Sequence, residues 1–244
     1  MLDSKDFEDL RELPFARPDF DRESRKGVPE IILADTKTVE QCLAIAQDFL
    51  ERTGRAILSR VSPELEQALK EHYGHDAFEW YPVSRTAILR RGQRIEPTGG
   101  CVGILTAGTS DQPVAEQAAI VCREMGCTVK VAYDVGVAGL HRLFDPLQDF
   151  MKAGVDVIIV AAGMDGALPS VVSGLVDIPV IGLPTSVGYG MGGKGEAALL
   201  AMLQTCSPGL AVVNIDNGVG AGTMAALIAN RVAAARRAAT REGN

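Results

Sequence analysis

The chain has no excess of positive charge, no paired-cysteine pattern and no long apolar run. Of its 244 residues, 24 are Lys or Arg against 31 Asp or Glu, for a net charge of −7. A broad nucleic-acid footprint or an anionic-membrane surface would need the opposite sign, so any phosphate must be bound locally. The five cysteines (Cys42, Cys101, Cys122, Cys127 and Cys206) are odd in number and form no CxxC or Cys/His zinc spacing. Reduced thiols in a cytoplasmic protein are expected. No apolar run approaches the ~18 residues needed to span a bilayer, and the opening MLDSKDFEDLREL lacks the apolar core of a signal peptide. Neither export nor membrane insertion is expected.

What the chain does have is a repeated pattern in its last 140 or so residues. Five times an apolar run leads into a loop of Gly, Ser, Thr or Asp and then into a helical pattern. The loops are Ala107–Asp111, Asp134–Gly139, Ala162–Gly166, Pro184–Gly190 and Asn214–Gly218. The runs at 102–106, 129–133, 155–161, 180–183 and 210–215 are apolar throughout, as strands buried on both faces are. Helices are expected at about 111–125, 138–152, 167–175, 194–205 and 220–238. Alternating strands and helices give an α/β fold with a doubly wound, mostly parallel sheet in three layers. In such a sheet the loops at the carboxyl ends of the strands converge on one edge, where helix N-termini present free N–H groups to anions. That edge is the expected ligand site.

Upstream, residues 1–28 are highly charged around Pro18 and read as an arm. Residues 29–96 read as a small α/β domain. It has a strand from Ile31, a helix after Thr36, a strand from Arg55, a helix opening at Ser62-Pro63, and a last strand over residues 84–89. Pro97 and Gly99-Gly100 supply a linker, residues 101–232 form the doubly wound domain, and 233–244 form a helical tail.

The individual motifs are less specific. Gly188-Tyr-Gly190-Met-Gly-Gly193 fits G-x-G-x-x-G but follows the fourth strand of its domain instead of the first. As a P-loop it fails because Gly195, not Ser or Thr, follows Lys194. The loop is read as flexible backbone that can approach a ligand or a neighbouring subunit. Thr109-Ser110-Asp111 can cap a helix or hold phosphate or ribose. His141 and Arg142 could bind an anion and move a proton, whereas His72 and His75 read as surface. Asp165 could be a cap, a base or a metal ligand. By position alone Cys206 reads as an ordinary thiol.

Taken together, AGTSDQPVAEQA (107–118), DVGVAGLHRL (134–143), AGMDGALPSVVSGLVDIPVIGLPTSVGYG (162–190) and TCSPGLAVVNIDNGVGAG (205–222) resemble the LarB family. The small N-terminal unit resembles that family's from Arg25 onward. The second unit is also similar to the PurE-type aminoimidazole ribonucleotide carboxylases and mutases. Their Gly-Ser-x-Ser-Asp and Ser-Ala-His-Arg loops become Gly108-Thr109-Ser110-Asp111 and Ala138-Gly139-Leu140-His141-Arg142 here.

The resemblance implies carboxylation at C5 of the pyridinium ring of nicotinic acid adenine dinucleotide. Cleavage of the phosphoanhydride accompanies it, giving pyridinium-3,5-biscarboxylic acid mononucleotide and AMP. This is the first step toward the nickel-pincer cofactor of lactate racemase, with sulfur-inserting and nickel-inserting enzymes acting next. Carbon dioxide or bicarbonate would be co-substrate, Mg2+ would assist cleavage, and no tightly bound organic cofactor is implied. The family's Ser/Thr-Cys-x-x-Gly segment matches Thr205–Gly209, which makes Cys206 the implied nucleophile. Asp165 stands where the family has Glu and keeps a carboxylate one methylene shorter, as base or magnesium ligand. Ser110 and Asp111 would hold ribose or phosphate, Arg142 a phosphate, and His141 would face the reacting ring. Gly108, Thr109, Gly163, Met164, Gly166, Ser186, Gly188, Gly190 and Asn217 would complete the pocket, in a homo-oligomer of octameric type with shared sites. The alternatives are an aminoimidazole ribonucleotide carboxylase or mutase and a non-catalytic nucleotide sensor.

Overall fold

The computed structural model describes residue 13, residues 15–92 and residues 94–242. The chain divides into two compact units, residues 1–94 and 95–244.

The first unit contains α1 (Arg22–Lys26), β1 (Ile31–Leu33), α2 (Val39–Thr53), β2 (Arg55–Ser59), α3 (Pro63–Ala77), β3 (Phe78–Tyr81) and β4 (Thr86–Arg90). Its sheet runs β1-β2-β4-β3, with β1 parallel to β2 and the other pairs antiparallel. The helices start where local chemistry dictates. Thr38 and Gln41 form a reciprocal capping box at α2, and Ser62 caps α3 ahead of Pro63. Ile45, Ala46, Phe49 and Leu50 of α2 meet Leu58 and Leu89 of the sheet in one core.

Two features depart from the sequence reading. The aromatic run Phe78–Tyr81 forms an edge strand that the helical pattern before it obscures. The charged arm is also partly built in. The Phe20 ring lies 5.0 Å from that of Phe49, and the Arg52 guanidinium sits over Phe20 at 4.5 Å.

The second unit is a five-stranded parallel sheet of β5 (Cys101–Thr106), β6 (Thr128–Ala132), β7 (Val157–Ala162), β8 (Val180–Pro184) and β9 (Leu210–Val212). Its order is β6-β5-β7-β8-β9. The fold is therefore α/β and doubly wound, with the topological switch point between β5 and β7. Helices α4 (Gln112–Glu124) and α8 (Gly218–Glu242) pack together on one face. On the other lie α5 (His141–Lys152), α6 (Leu168–Ser173) and α7 (Glu196–Leu203), where Leu143, Phe150, Val172 and Met202 join Leu105, Ile158 and Val160 in a common core. The expected tail at 233–244 continues α8 through its described residues.

The α4–α8 contact is a seam of small residues. Ala118, Ala221, Ala225 and Ala229 are fully buried, so the backbones approach closely. A Cβ added at Gly222 would stand 2.6 Å from the Ala118 carbonyl oxygen. Backbone on a packed helix cannot step aside as a flexible side chain can, so overpacking costs about 1–3 kcal/mol. Gly222→Ala is expected to lower stability by that amount, read as a lower urea midpoint with an unchanged slope.

Candidate functional site

The carboxyl edge of the parallel sheet is held together by one buried carboxylate. Asp111 closes the loop after β5, where its Oδ2 accepts from the Gly108 amide at 2.8 Å. Its Oδ1 accepts from the Thr185 hydroxyl at 2.6 Å, in the loop after β8. The Gly163 amide, after β7, also donates to this carboxylate. Asp111 is 3% exposed. Burial raises its pKa above the usual carboxylate value, against the lowering effect of the Thr185 hydroxyl and the two amides, and Asp216 adds a smaller upward push.

The loop after β6 is fixed to the same group of loops. Thr106 at the end of β5 is fully buried. Its hydroxyl accepts from the Asp134 amide at 3.0 Å, and its carbonyl accepts from Val135. Asp134 in turn holds Arg142, Oδ2 to Nη1, at 2.5 Å. At the far side the Ser186 amide donates to Asp216 Oδ1 at 2.8 Å, and the Asp216 amide donates to the Pro184 carbonyl. The Asn217 side chain accepts from the Gly220 amide and so caps the start of α8.

Four residues at this edge that are not glycine hold left-handed backbone: Asp134 (φ 58°), Met164 (53°), Lys194 (61°) and Asp216 (54°). Such conformations cost about 1–2 kcal/mol each for an L residue, and observed strain of this kind gathers at functional sites. Asp134, Met164 and Asp216 lie in the second, third and fifth loops, and Lys194 in the turn that leads from the fourth into α7. Composition gives no sign of this, since Asp, Met and Lys are not turn glycines.

The expected site residues fall into distinct positions. Thr109, Ser110, His141, Arg142, Met164, Asp165, Ser186, Gly188, Gly190 and Asn217 are exposed on the carboxyl edge. Asp165 makes one long contact, its Oδ1 accepting from the Ala167 amide at 3.4 Å, which leaves most of the carboxylate free. Among the described residues His141 has no hydrogen-bonding partner, and it stands at the first position of α5. Arg142 is held by Asp134 and is available to an anion only in exchange for that pair.

Three residues differ from their expected roles. Asp111 is expected to hold ribose or phosphate, yet its carboxylate is turned inward and occupied by three protein donors. Gly163 and Gly166 are expected to line the pocket but are buried. A Cβ on Gly163 would meet the Val187 carbonyl at 2.2 Å, and one on Gly166 the Ala198 carbonyl at 2.6 Å. These glycines let neighbouring segments pack against the third loop, and only through that do they shape the site.

Cys206 differs most in position. It lies between α7 and β9, and Gly209 and Leu210 pair with Val180 at the start of β8. That is the amino edge of the sheet. The four residue steps from Val180 to Pro184 put roughly 13 Å of strand between the thiol's segment and the carboxyl-edge loops of the same chain. Four of the five cysteines are buried and Cys206 is exposed. Burial pushes Cys127 up to about 11 and Cys122 higher still, which suits packing thiols and not nucleophiles.

Among the described residues no three His, Cys, Asp or Glu side chains converge to cage a metal, and no helix is long and apolar enough to cross a membrane.

A doubly wound domain with this edge is of the AIR carboxylase type, and residues 101–243 match that family. Residues 7–91 match the LarB/PurE-like N-terminal domain. The chain belongs to the LarB family, whose C-terminal domain is PurE-like. An uncharacterized protein of Methanocaldococcus jannaschii is 43% identical over 86% of this chain and 82% of its own length. The N5-carboxyaminoimidazole ribonucleotide mutase of Thermotoga maritima is 35% identical over 52% of this chain and 73% of its own. A crystal structure of a PurE2 from Treponema denticola aligns over 56% of this chain and 79% of that one, at 24% identity and a TM-score of 0.42.

Removing the Asp111 carboxylate would orphan the Thr185 hydroxyl and the amides of Gly108 and Gly163. An unsatisfied buried polar group costs about 1–3 kcal/mol. Asp111→Ala is therefore expected to lower the unfolding free energy by at least that much without ligand, read as a lower denaturation midpoint. A variant of wild-type stability with only weakened ligand binding would instead make Asp111 a direct contact.

Proposed function

We propose that this protein carboxylates the pyridinium ring of nicotinic acid adenine dinucleotide at C5 and hydrolyses its phosphoanhydride, a water molecule supplying the oxygen that replaces the bridging one and AMP leaving. The observation that carries this reading is the presence in one chain of both the LarB-type N-terminal domain and the PurE-like domain. The cysteine expected to serve as nucleophile is also the exposed one.

The chemistry requires a thiolate. A pyridinium ring is electron-poor and does not attack carbon dioxide. Addition of the Cys206 thiolate at C4 forms a C–S bond and moves an electron pair onto the ring nitrogen, giving a dihydropyridine with enamine character at C5. C5 then attacks carbon dioxide, forming the C–C bond. A base takes the C5 proton, and its electron pair restores the ring as the C–S bond breaks and the thiolate leaves. His141 and Asp165 are the carboxyl-edge groups suited to that proton transfer, and because Cys206 stands at the opposite edge of its own sheet they would come from a neighbouring copy in the shared-site oligomer that the family resemblance implies. Ser110 and the first turn of α4 would take ribose or phosphate, and Arg142, released from Asp134, a phosphate.

One free carboxylate, Asp165, fits a magnesium ion that arrives on the pyrophosphate and keeps most of its water, and does not fit a protein-built cage. Such an ion would neutralise charge on the leaving phosphate.

Incubation with the dinucleotide, bicarbonate and magnesium is expected to release AMP. The companion product should be one carboxyl group heavier than nicotinic acid mononucleotide. Cys206→Ala is expected to abolish the carboxylated product, with a loss on the order of 10³-fold or more for removal of a covalent nucleophile. Wild-type rates in that variant would refute the covalent route. Turnover of carboxyaminoimidazole ribonucleotide in place of the dinucleotide would assign the chain to the mutases.

A further inference from the structure

The five loops of the carboxyl edge, with the first turn of each helix that follows, hold two permanent cations, Arg142 and Lys194. Arg142 is already engaged, by Asp134 Oδ2 and by the Gly139 carbonyl. Lys194 is exposed, and among the described residues it makes no ion pair and no hydrogen bond, even with Glu196 two positions on. Asp134, Asp165 and Asp216 stand on the same rim. A ligand with two phosphates therefore meets more negative than positive charge there. Among the described residues of this edge, Lys194 is the permanent cation it can take without breaking a pair.

The backbone under Lys194 is strained. It holds φ 61° and Gly195 after it φ 86°, so two successive residues are left-handed. Gly188, Gly190, Gly192 and Gly193 lie in the same segment, and glycine would hold position 194 without penalty. The position is also fixed. A Cβ on Gly195 would meet the Thr185 carbonyl oxygen at 2.8 Å and Ile215 Cγ2 at 2.7 Å, so the chain beside Lys194 lies directly on the loops after β8 and β9. Lys194 is thus an unpaired charge on strained backbone, set against the framework that Thr185 and Asp111 build.

Arg142 and Lys194 follow β6 and β8, which stand three strand spacings apart in the order β6-β5-β7-β8, roughly 14 Å. Two long cationic side chains at that span suit the two halves of a diphosphate better than a single phosphate. Asp165 follows β7, between them. His141 adjoins Arg142 and is the group assigned to the reacting ring, so the phosphate for Arg142 is the one on the nicotinate side.

We propose that Lys194 binds the adenylate phosphate of the dinucleotide and stabilises it as it leaves. This rests on the dinucleotide reading given above. Water attacks the nicotinate-side phosphorus and forms the new P–O bond, while the bond from that phosphorus to the bridging oxygen breaks. The bridging oxygen keeps the electron pair and departs on AMP, and both protons of the water pass to solvent. The AMP phosphate goes from about one negative charge to roughly two. A lysine ammonium, a compact point charge, neutralises charge that appears as the bond breaks. The glycine-rich loop so keeps the lysine of a P-loop without the hydroxyl that a P-loop gives to magnesium.

Lys194→Gly is the test, since it removes the charge and relaxes the backbone together. Calorimetry with AMP and no metal is expected to show affinity weakened about ten- to a hundredfold, the loss for a charge-assisted contact. The urea midpoint should stay at or above wild type, and Lys194→Arg should restore AMP affinity. With the dinucleotide, Lys194→Gly should lower kcat for AMP release more than it raises KM, because the added charge appears only in bond breaking. In heavy-oxygen water the label is expected in the mononucleotide. Label in AMP, unchanged AMP affinity in Lys194→Gly, or a lowered urea midpoint in that variant each overturns the leaving-phosphate role. A wild-type protein that binds AMP through Lys194 yet neither cleaves nor carboxylates the dinucleotide keeps the phosphate site and overturns the reaction assignment instead.

Discussion

The carboxylate of Asp111 is the constraint on which the ligand edge depends. Three loops leave three different strands of a parallel sheet, and nothing in strand pairing fixes how their tips stand relative to one another. A group that accepts from Gly108, Thr185 and Gly163 at once does so. Its burial is costly and its donors offset that cost, so the loops hold the ion in place as much as it holds them. Thr106 extends the arrangement to the loop bearing Asp134 and Arg142, and Asp216 extends it to Ser186. The exposed groups His141, Ser110 and Asp165 therefore stand on a rigid foundation although none of them belongs to it.

Much of this was legible in the sequence, because the signals were local. Apolar runs of uniform character marked strands covered on both faces, and loops rich in Gly, Ser and Asp marked their carboxyl ends. Ser62-Pro63 opened α3 as a capped helix should. Strand β3 was hidden because Phe78–Tyr81 follows the helix without a turn signal. The inward turn of Asp111 was not legible either, since an Asp before a helix looks the same whether it faces solvent or clamps its neighbours. Only the long-range partner Thr185, 74 residues away in the chain, decides the matter.

Cys206 shows the same limit in another form. The family resemblance of its segment marked it as the nucleophile, while its position alone read as that of an ordinary thiol. In a parallel sheet, however, each connection crosses from one edge to the other. A residue after a helix and before a strand therefore stands opposite a residue after a strand and before a helix. Chain order alone contained that information.

The four left-handed residues at the edge carry a consequence for how the molecule has been shaped. Asp134, Met164, Lys194 and Asp216 each occupy a backbone conformation that glycine would adopt without penalty. Glycine is abundant in these very loops, so it was an easy substitution at every one of them. At each position this chain therefore carries a side chain at the expense of a more relaxed backbone. The rim of the sheet is where this protein spends backbone stability to hold particular side chains in place.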